Sequence, residues 1–223
     1  MLFRSSYVIF TIGGSVATST IVFLISNYFG QPRLVGVALL ATALTSVLAI
    51  PLWLWISRLI GKHRAIAYSL IVAVFFNAGI TPFLQPGQGW LYVGMVAALG
   101  VIASGSSVLP LSMIGDIIDY DTLIHGKSRG GIYMGVWSFT QKASPALGIG
   151  VTLWVLSAFN FHPNGHNTPA ALESLKYVYA LGSAPFYFVG AAVLFWFPIN
   201  ERRHAIIQRR LDARARRALR DAK

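Results

Sequence analysis

The chain of 223 residues contains no cysteine, which excludes disulfide bonds and thiolate metal sites. It also has little charge of either sign. There are seven acidic residues against eighteen Lys and Arg, and charged residues make up 11% of the sequence. Soluble globular domains carry about 25% charged residues. Together with 55% hydrophobic residues and a mean hydropathy of +0.62, this composition indicates a polytopic membrane protein.

Six apolar stretches are each long enough to cross a bilayer, which requires about 20 residues. The polar segments Asp116 to Arg129 and Phe161 to Lys176 are the longest predicted loops between them. The first stretch exceeds the apolar core of a signal peptide, so we expect it to be retained. The expected spans are residues 7–29, 34–57, 65–84, 90–114, 131–159 and 177–197.

The basic residues are divided unequally between the two sides that six spans define. Fifteen Lys and Arg fall on the side of the termini and two on the opposite side, whereas Lys142 lies inside a span. The positive-inside rule therefore predicts cytoplasmic termini in a bacterial inner membrane. Topology also accounts for the net charge of +11, so nucleic acid is not needed to explain it. The basic tail, residues 201–223, is expected either to lie on the anionic inner leaflet or only to fix topology.

Lys142 lies about 11 residues inside the fifth expected span, which places it roughly 16 Å deep, near the bilayer midplane. A charge at that depth costs at least about 2.5–3.5 kcal/mol, so we expect this residue to face a cavity or a partner. Polar and small residues recur on the same helix face, for which a helix-packing seam is the alternative interpretation. The predicted face comprises Ser138, Gln141, Lys142, Pro145, Gly148 and Thr152.

The six expected spans contain no Asp or Glu that could pair with Lys142. We therefore expect a ligand or another set of helices to supply the partner, and we expect the chain to be incomplete alone. Polar residues on the first, third and fourth spans are compatible with a transport pathway and equally with hydrogen bonds between helices. His162 and His166 are separated by a turn, so no metal site is expected, and no catalytic cluster indicates an enzyme.

The stretch GDIIDYDTL gathers Asp116, Asp119 and Asp121, three of the seven acidic residues of the chain. Asp116 and Asp119 are spaced i,i+3 and so share a helix face. With Lys127 and Arg129 across the loop, they are predicted to form a cytoplasmic salt-bridge latch that biases which side of a transporter is closed. Ordinary solvation of a loop is the alternative, and binding of a cation by the three carboxylates is a weaker one.

The segment GDIIDYDTLIHGKSRGGIYMGVWSFTQKASPALGIG resembles the loop and eleventh helix of the glycoside–pentoside–hexuronide:cation symporters, the melibiose-permease-like branch of the major facilitator superfamily. The shared features are an Asp-x-x-Asp-Tyr motif at Asp116, Asp119 and Tyr120, then Gly126-Lys127, and then Lys142. PLWLWISRLIGKHRA is similar to the loop between helices eight and nine of that family, and FPINERRHAIIQRRL to the exit from its last helix. The resemblance covers essentially the whole chain, as helices seven to twelve.

The sequence departs from the family pattern after Tyr120, where Gly followed by Glu is common and this chain has Asp121-Thr122. The resemblance implies an all-α membrane fold of six transmembrane helices, arranged as two inverted three-helix repeats that form one half of a major-facilitator transporter. It also implies cation-coupled symport of a sugar or glycoside by alternating access. The coupling cation would be Na⁺ or H⁺, bound by carboxylates of an N-terminal six-helix half, and no other cofactor is implied.

The same resemblance assigns residues to a substrate and coupling cavity and to a cytoplasmic gate. Two other functions stay open: a lipid or lysolipid carrier of the same superfamily, and a truncated membrane protein that does not transport. The expected cavity residues are Lys142, Ser138, Gln141, Trp137 and Thr152, and the expected gate residues are Asp116, Asp119, Tyr120, Asp121, Lys127 and Arg129.

Overall fold

The computed structural model describes residues 2–126, 129–163, 165 and 167–196, and these residues are helical apart from short connections. A π-helical turn, Leu24–Tyr28, extends the first helix, and a 3₁₀ turn, Thr81–Phe83, follows the fourth. The predicted all-α fold is confirmed. The helices are α1 (Leu2–Phe23), α2 (Leu34–Leu48), α3 (Ile50–Ile60), α4 (Lys62–Ile80), α5 (Gly89–His125), α6 (Gly130–Ala158), α7 (Pro169–Leu181) and α8 (Ala184–Phe195).

Among the described residues, five segments are long and apolar enough to cross a membrane, if the pair α2–α3 is taken as one span bent by 46°. Pro51 explains the bend, because it has no N–H to donate to the carbonyl group of Val47. The fifth expected span, α6, is long enough at 29 residues, but it is less apolar because it contains Gln141, Lys142 and several glycines. The four continuous segments are Ser5–Tyr28, Lys62–Phe83, Gly89–His125 and Pro169–Phe195.

The loop expected from Asp116 to Arg129 is wrong, because α5 continues through the acidic stretch to His125. A helix that leaves the membrane no longer needs apolar residues, so its polar end looks like a loop in sequence. The helix ends at Gly126, whose φ of 71° is the left-handed conformation that favours glycine after a helix. The acidic residues therefore stand on a rigid extension of α5.

The loop expected from Phe161 to Lys176 is also too long, because α7 begins at Pro169. The side chain of Thr168 accepts a hydrogen bond from the backbone N–H of Ala171 at 3.3 Å, which caps the helix. Lys176 consequently lies within a helix and is buried, with its Nζ 5.6 Å from the ring centroid of Tyr28.

The helices form two equivalent units of three. The first unit consists of α1, the bent pair α2–α3 and α4, and the second consists of α5, α6 and the broken pair α7–α8. α1 packs on α6 and α8, whereas α5, which opens the second unit, packs on α2 and α4. The remaining contact, between α4 and α8, joins the last members of the two units. If the two units are exchanged, the contact of α1 with α6 becomes that of α5 with α2, and the contact of α1 with α8 becomes that of α5 with α4. The contact between α4 and α8 stays in place. The predicted pair of inverted repeats requires this symmetry.

A ladder of side-chain hydrogen bonds joins α2 and α3 to α5. The hydroxyl groups of Thr42, Thr45 and Ser46 donate to backbone carbonyls of α5 at 3.2, 2.7 and 2.9 Å. The indole N–H of Trp53 donates to a fourth carbonyl at 2.7 Å. Polar side chains that bond across helices in this way stabilise packing inside a bilayer. The acceptors are the carbonyl oxygens of Val96, Ala97, Gly100 and Val101.

The seam between α1 and α6 depends on close backbone approach at Gly148. A Cβ atom at this position would overlap the side chain of Ser15 and would lie 2.9 Å from the carbonyl oxygen of Ile12. One helical turn further on, the hydroxyl groups of Ser19 and Thr152 are hydrogen-bonded at 3.1 Å across the same seam. Small residues thus bring the two helices together where they also exchange a polar contact.

We predict that Gly148→Ala destabilises the protein by about 1–3 kcal/mol, because the added methyl group meets backbone atoms of α1 that can move only with the helix. Gly150→Ala is the matched control, because a Cβ at Gly150 meets nothing within 4 Å. Thermal unfolding in detergent, followed by tryptophan fluorescence, should show a lower midpoint for the first variant alone. Equal midpoints for the two variants would contradict the close approach.

Candidate functional site

A cleft with a volume of about 640 Å³ lies between two helix pairs, each of which takes one helix from each three-helix unit. α1 and α6 form one wall, α2 and α5 form the other, and α4, α7 and α8 contribute to its floor. Most of the lining surface is apolar, and the described residues that line it include no Asp or Glu. The polar lining residues are Thr11, Ser15, Thr18, Ser19, Thr42, Asn77, Ser106, Ser107 and Gln141, with Tyr7, Tyr179 and Tyr187 at their phenol groups.

The polar face of α1 lines this cleft, but its hydroxyl groups are largely satisfied within their own helix. Ser15, Thr18 and Ser19 donate to the carbonyl oxygens four residues earlier at 3.0, 2.9 and 2.8 Å. Such bonds allow a hydroxyl group to stand in an apolar environment without a ligand. This face therefore gives the cleft a weakly polar wall that keeps acceptor capacity on its oxygens.

Lys142 lies twelve residues after Gly130, the first residue of α6, and so about 18 Å along the helix. Its side chain is exposed on the surface of the six-helix unit. Gln141 and Pro145, which precede and follow it on the helix, line the cleft. Lys142 and the exposed Ser138 thus stand beside the cleft, on a face that no other described residue covers.

The structure separates the other two expected cavity residues from Lys142. Thr152 is fully buried in the seam with α1 and donates to the carbonyl oxygen of Gly148 at 2.8 Å. Trp137 is half-buried, and its ring is stacked on Tyr7 with centroids 4.0 Å apart. The predicted polar face of α6 is therefore two faces: one packs on α1, and the other carries Lys142.

The acidic stretch forms an ion pair that the sequence did not indicate. Asp116 accepts hydrogen bonds from the ammonium group of Lys62 at 2.9 and 2.8 Å, and both side chains are largely buried. Lys62 opens α4, so the bond ties the junction of α3 and α4 to α5. The only signal in the sequence was that both residues lie at the same expected end of their spans.

The other expected gate residues that the structure describes lie in the last turns of α5 and just before α6. Asp121 is buried, and its Oδ1 lies 3.0 Å from Nδ1 of His125. Asp119 is half-buried, Tyr120 is 43% exposed, and Arg129 is exposed just before α6. Lys127 lies outside the described residues, so the predicted latch between it and the aspartates stays a prediction.

Within the described residues, no three side chains of His, Asp or Glu come close enough together to hold a metal ion. His162 lies in the connection between α6 and α7, and His166 is outside the described residues. The cleft and the charged end of α5 are thus the features of this part of the chain that can bind a solute or change between two states.

Two equivalent three-helix units around a half cleft define one half of a transporter of the major facilitator superfamily. A family model described as MFS/sugar transport protein matches residues 1–201. The chain belongs to this family of membrane transporters, and the resemblance seen in the sequence is confirmed.

Three relatives illustrate the range of this family. An uncharacterized symporter of Synechocystis is 28% identical over 207 residues, which cover 89% of this chain and 38% of the relative. A sodium-dependent lysophosphatidylcholine symporter of Mus musculus is 28% identical over 186 residues, covering 82% and 34%. A putative glycoside/cation symporter of Escherichia coli is 22% identical over 161 residues, covering 70% and 34%. The chain spans about a third of the length of these relatives.

We predict that Asp116→Asn lowers the free energy of unfolding by about 1–3 kcal/mol, because it leaves the largely buried ammonium group of Lys62 without its counter-ion. Lys62→Met should have a similar effect. The exchanged pair Lys62→Asp with Asp116→Lys should recover part of the loss. Denaturant-induced unfolding of the two single variants and of the double variant Lys62→Met with Asp116→Asn measures the coupling, and additive effects would contradict a direct pair.

Proposed function

We propose that this chain forms one half of a cation-coupled symporter that works by alternating access. Its cleft would face a second set of six helices, in the same polypeptide or in another, and the two surfaces together would enclose the substrate near the bilayer midplane. The expected substrate is a sugar or glycoside. Rocking of the two halves about this site would expose it to each side of the membrane in turn.

The exposed position of Lys142 carries this proposal. A lysine about halfway along a transmembrane helix is too deep to reach the interface easily and is costly to expose to lipid. Its face must therefore be covered by protein, a ligand or water. The adjoining cleft, which has no carboxylate among its described lining residues, fits a surface whose acidic partners come from opposing helices. These partners would also bind the coupling Na⁺ or H⁺.

The mostly apolar walls favour a second candidate substrate, an amphipathic molecule such as a lysolipid. Ala17, Ile21, Val22, Leu39 and Ile149 all line the cleft and offer no hydrogen bonds. Small-molecule sites bind apolar groups on such walls and orient them with a few polar groups. The lysophosphatidylcholine symporters among the relatives agree with this candidate.

The charged end of α5 would act as the gate in this mechanism. The bond between Lys62 and Asp116 holds α4 and α5 together at that end, and Asp119, Tyr120, Asp121, Lys127 and Arg129 would form contacts with the opposing half that break when the cavity opens. The excess of basic residues at this end supports a cytoplasmic position in an inner membrane. The basic tail, residues 201–223, would then lie on the same side.

We predict that Lys142→Gln lowers substrate uptake by the assembled protein at least about tenfold, because it removes a charge that couples the two halves. Arg33→Gln is the matched control: it removes the same charge from an exposed turn and should leave uptake unchanged. Uptake into proteoliposomes under a cation gradient measures both. Full activity of Lys142→Gln would contradict the role proposed for this lysine.

Purified chain alone in liposomes should give no saturable, cation-dependent uptake, because half of the cavity and its carboxylates would be missing. The positive control is the same chain reconstituted with a six-helix N-terminal half from a relative or from its own membrane. Uptake by the chain alone, equal to that of the assembled protein, would contradict the proposal of a second half.

A further inference from the structure

Asn77 is a buried polar residue at the floor of the cleft whose side-chain oxygen has no partner. It lies on α4, lines the cleft and is 2% exposed, and its Oδ1 accepts no hydrogen bond from any described residue. Thr81, one turn later on the same face, is fully buried, and its Oγ1 is equally unpartnered. Most buried polar atoms in proteins are hydrogen-bonded, so two such atoms in succession indicate an absent ligand or water.

A third unpartnered oxygen lies at the break in the last span. Ser183 is 1% exposed, and its Oγ has no hydrogen bond to any described residue. It lies between α7 and α8, near the middle of the segment Pro169–Phe195, and one turn after Tyr179, which lines the cleft. α4 packs on both α7 and α8, and Ser183 lies one helical turn from both Tyr179 and Tyr187, which line the cleft. Among Asn77, Thr81 and Ser183, Asn77 is itself a lining residue.

These side chains are neutral, which limits what they can bind. The carboxamide of Asn77 accepts through Oδ1, and the hydroxyl groups of Thr81 and Ser183 can each donate one hydrogen bond and accept others. A cationic group would call for a carboxylate, and none lies among the described residues of the cleft. A hydroxyl group both donates and accepts, and therefore matches this mixture.

We propose that Asn77, Thr81 and Ser183 form a neutral hydrogen-bonding subsite that holds an uncharged hydroxyl group of the substrate at the floor of the cleft. This inference rests on the proposed function. The hydroxyl group would belong to a sugar ring or to the glycerol of a lysolipid, and the apolar walls above would contact the rest of the molecule. The three buried oxygens have no hydrogen-bond partner among the described residues, and the bound hydroxyl group would supply one.

This subsite should lower the stability of the protein without ligand and increase its affinity for the substrate. Removing an unpartnered buried hydroxyl group removes an unfavourable desolvation, whereas removing a partnered one loses a bond. Thr81→Val and Ser183→Ala should therefore keep or raise the unfolding midpoint of the protein without ligand. Two controls lose buried hydroxyl groups bonded within their helices and should lower it: Thr20→Val, bonded to Val16 at 2.6 Å, and Ser69→Ala, bonded to Ile66 at 2.8 Å.

Binding should change in the opposite sense. The experiment uses the chain in the assembly in which it is extracted from its own membrane, and titrates it with 4-nitrophenyl galactoside and, separately, with lysophosphatidylcholine. For whichever probe binds, Thr81→Val and Ser183→Ala should each raise Kd at least about fivefold, the factor that one lost hydrogen bond gives. Thr20→Val and Ser69→Ala should leave Kd unchanged.

A cycle with probes that lack one hydroxyl group identifies the bonded atom and its source. The sugar arm uses the deoxy galactosides, and the lipid arm uses a lysolipid whose glycerol hydroxyl group is replaced by hydrogen. One deoxy probe should bind wild type at least about fivefold more weakly, and Asn77→Leu should abolish that difference.

The outcomes separate this inference from the function on which it rests. If a probe binds and the three substitutions leave Kd unchanged, the subsite is wrong, water satisfies these oxygens, and the proposed function stands. If neither probe binds the assembly, the proposed substrate classes fail, and the subsite fails with them. Lower unfolding midpoints for Thr81→Val and Ser183→Ala, equal to those of their controls, would also contradict unpartnered oxygens.

Discussion

The fold depends on close contact between helices at positions where the side chains are small. Inside a bilayer, helices gain little by burying apolar surface on each other, because lipid is equally apolar. Packing and hydrogen bonds between helices must therefore hold them together. Gly148 supplies the contact between α1 and α6, and Gly100, with the hydroxyl ladder of α2, supplies that between α2 and α5. The cleft is the space between these two seams. Its width is therefore set by residues that pack the helices together.

The seam between α1 and α6 also decides where the charge of Lys142 lies. One face of α6 is committed to α1 through Gly148 and Thr152, so the face that carries Lys142 must point away from that contact. The charge consequently reaches the surface that a second half would cover. The structure thus separates two properties that a single polar face in the sequence combined: helix packing, and a charge available to a partner.

The sequence predicted the helices well because apolar length is a local property. It failed where structure depends on distant residues or on helix outside the membrane. The polar extension of α5 to His125 looks like a loop in the sequence but is helical. The ion-pair partner of Asp116 is Lys62, which lies 54 positions away. Spacing also could not reveal that the side-chain oxygen of Asn77 lacks a hydrogen-bond partner among the described residues, whereas the hydroxyl group of Ser69, also on α4, has one.

A single helix connects the cleft to the charged end of the molecule. α5 lines the cleft as far as Ser107 and carries Asp116 nine residues later, about 14 Å along the same axis. Between them lies Pro110, which has no N–H for the carbonyl group of Ser106 and so provides a point at which the helix can bend. The bond from Lys62 to Asp116 holds the segment beyond that point against α4. In the proposed transporter, the cleft wall and the gate are therefore parts of one helix, α5. A displacement of α5 at the cleft would move the gate directly, and a displacement at the gate would move the cleft wall, without a chain of intermediate contacts.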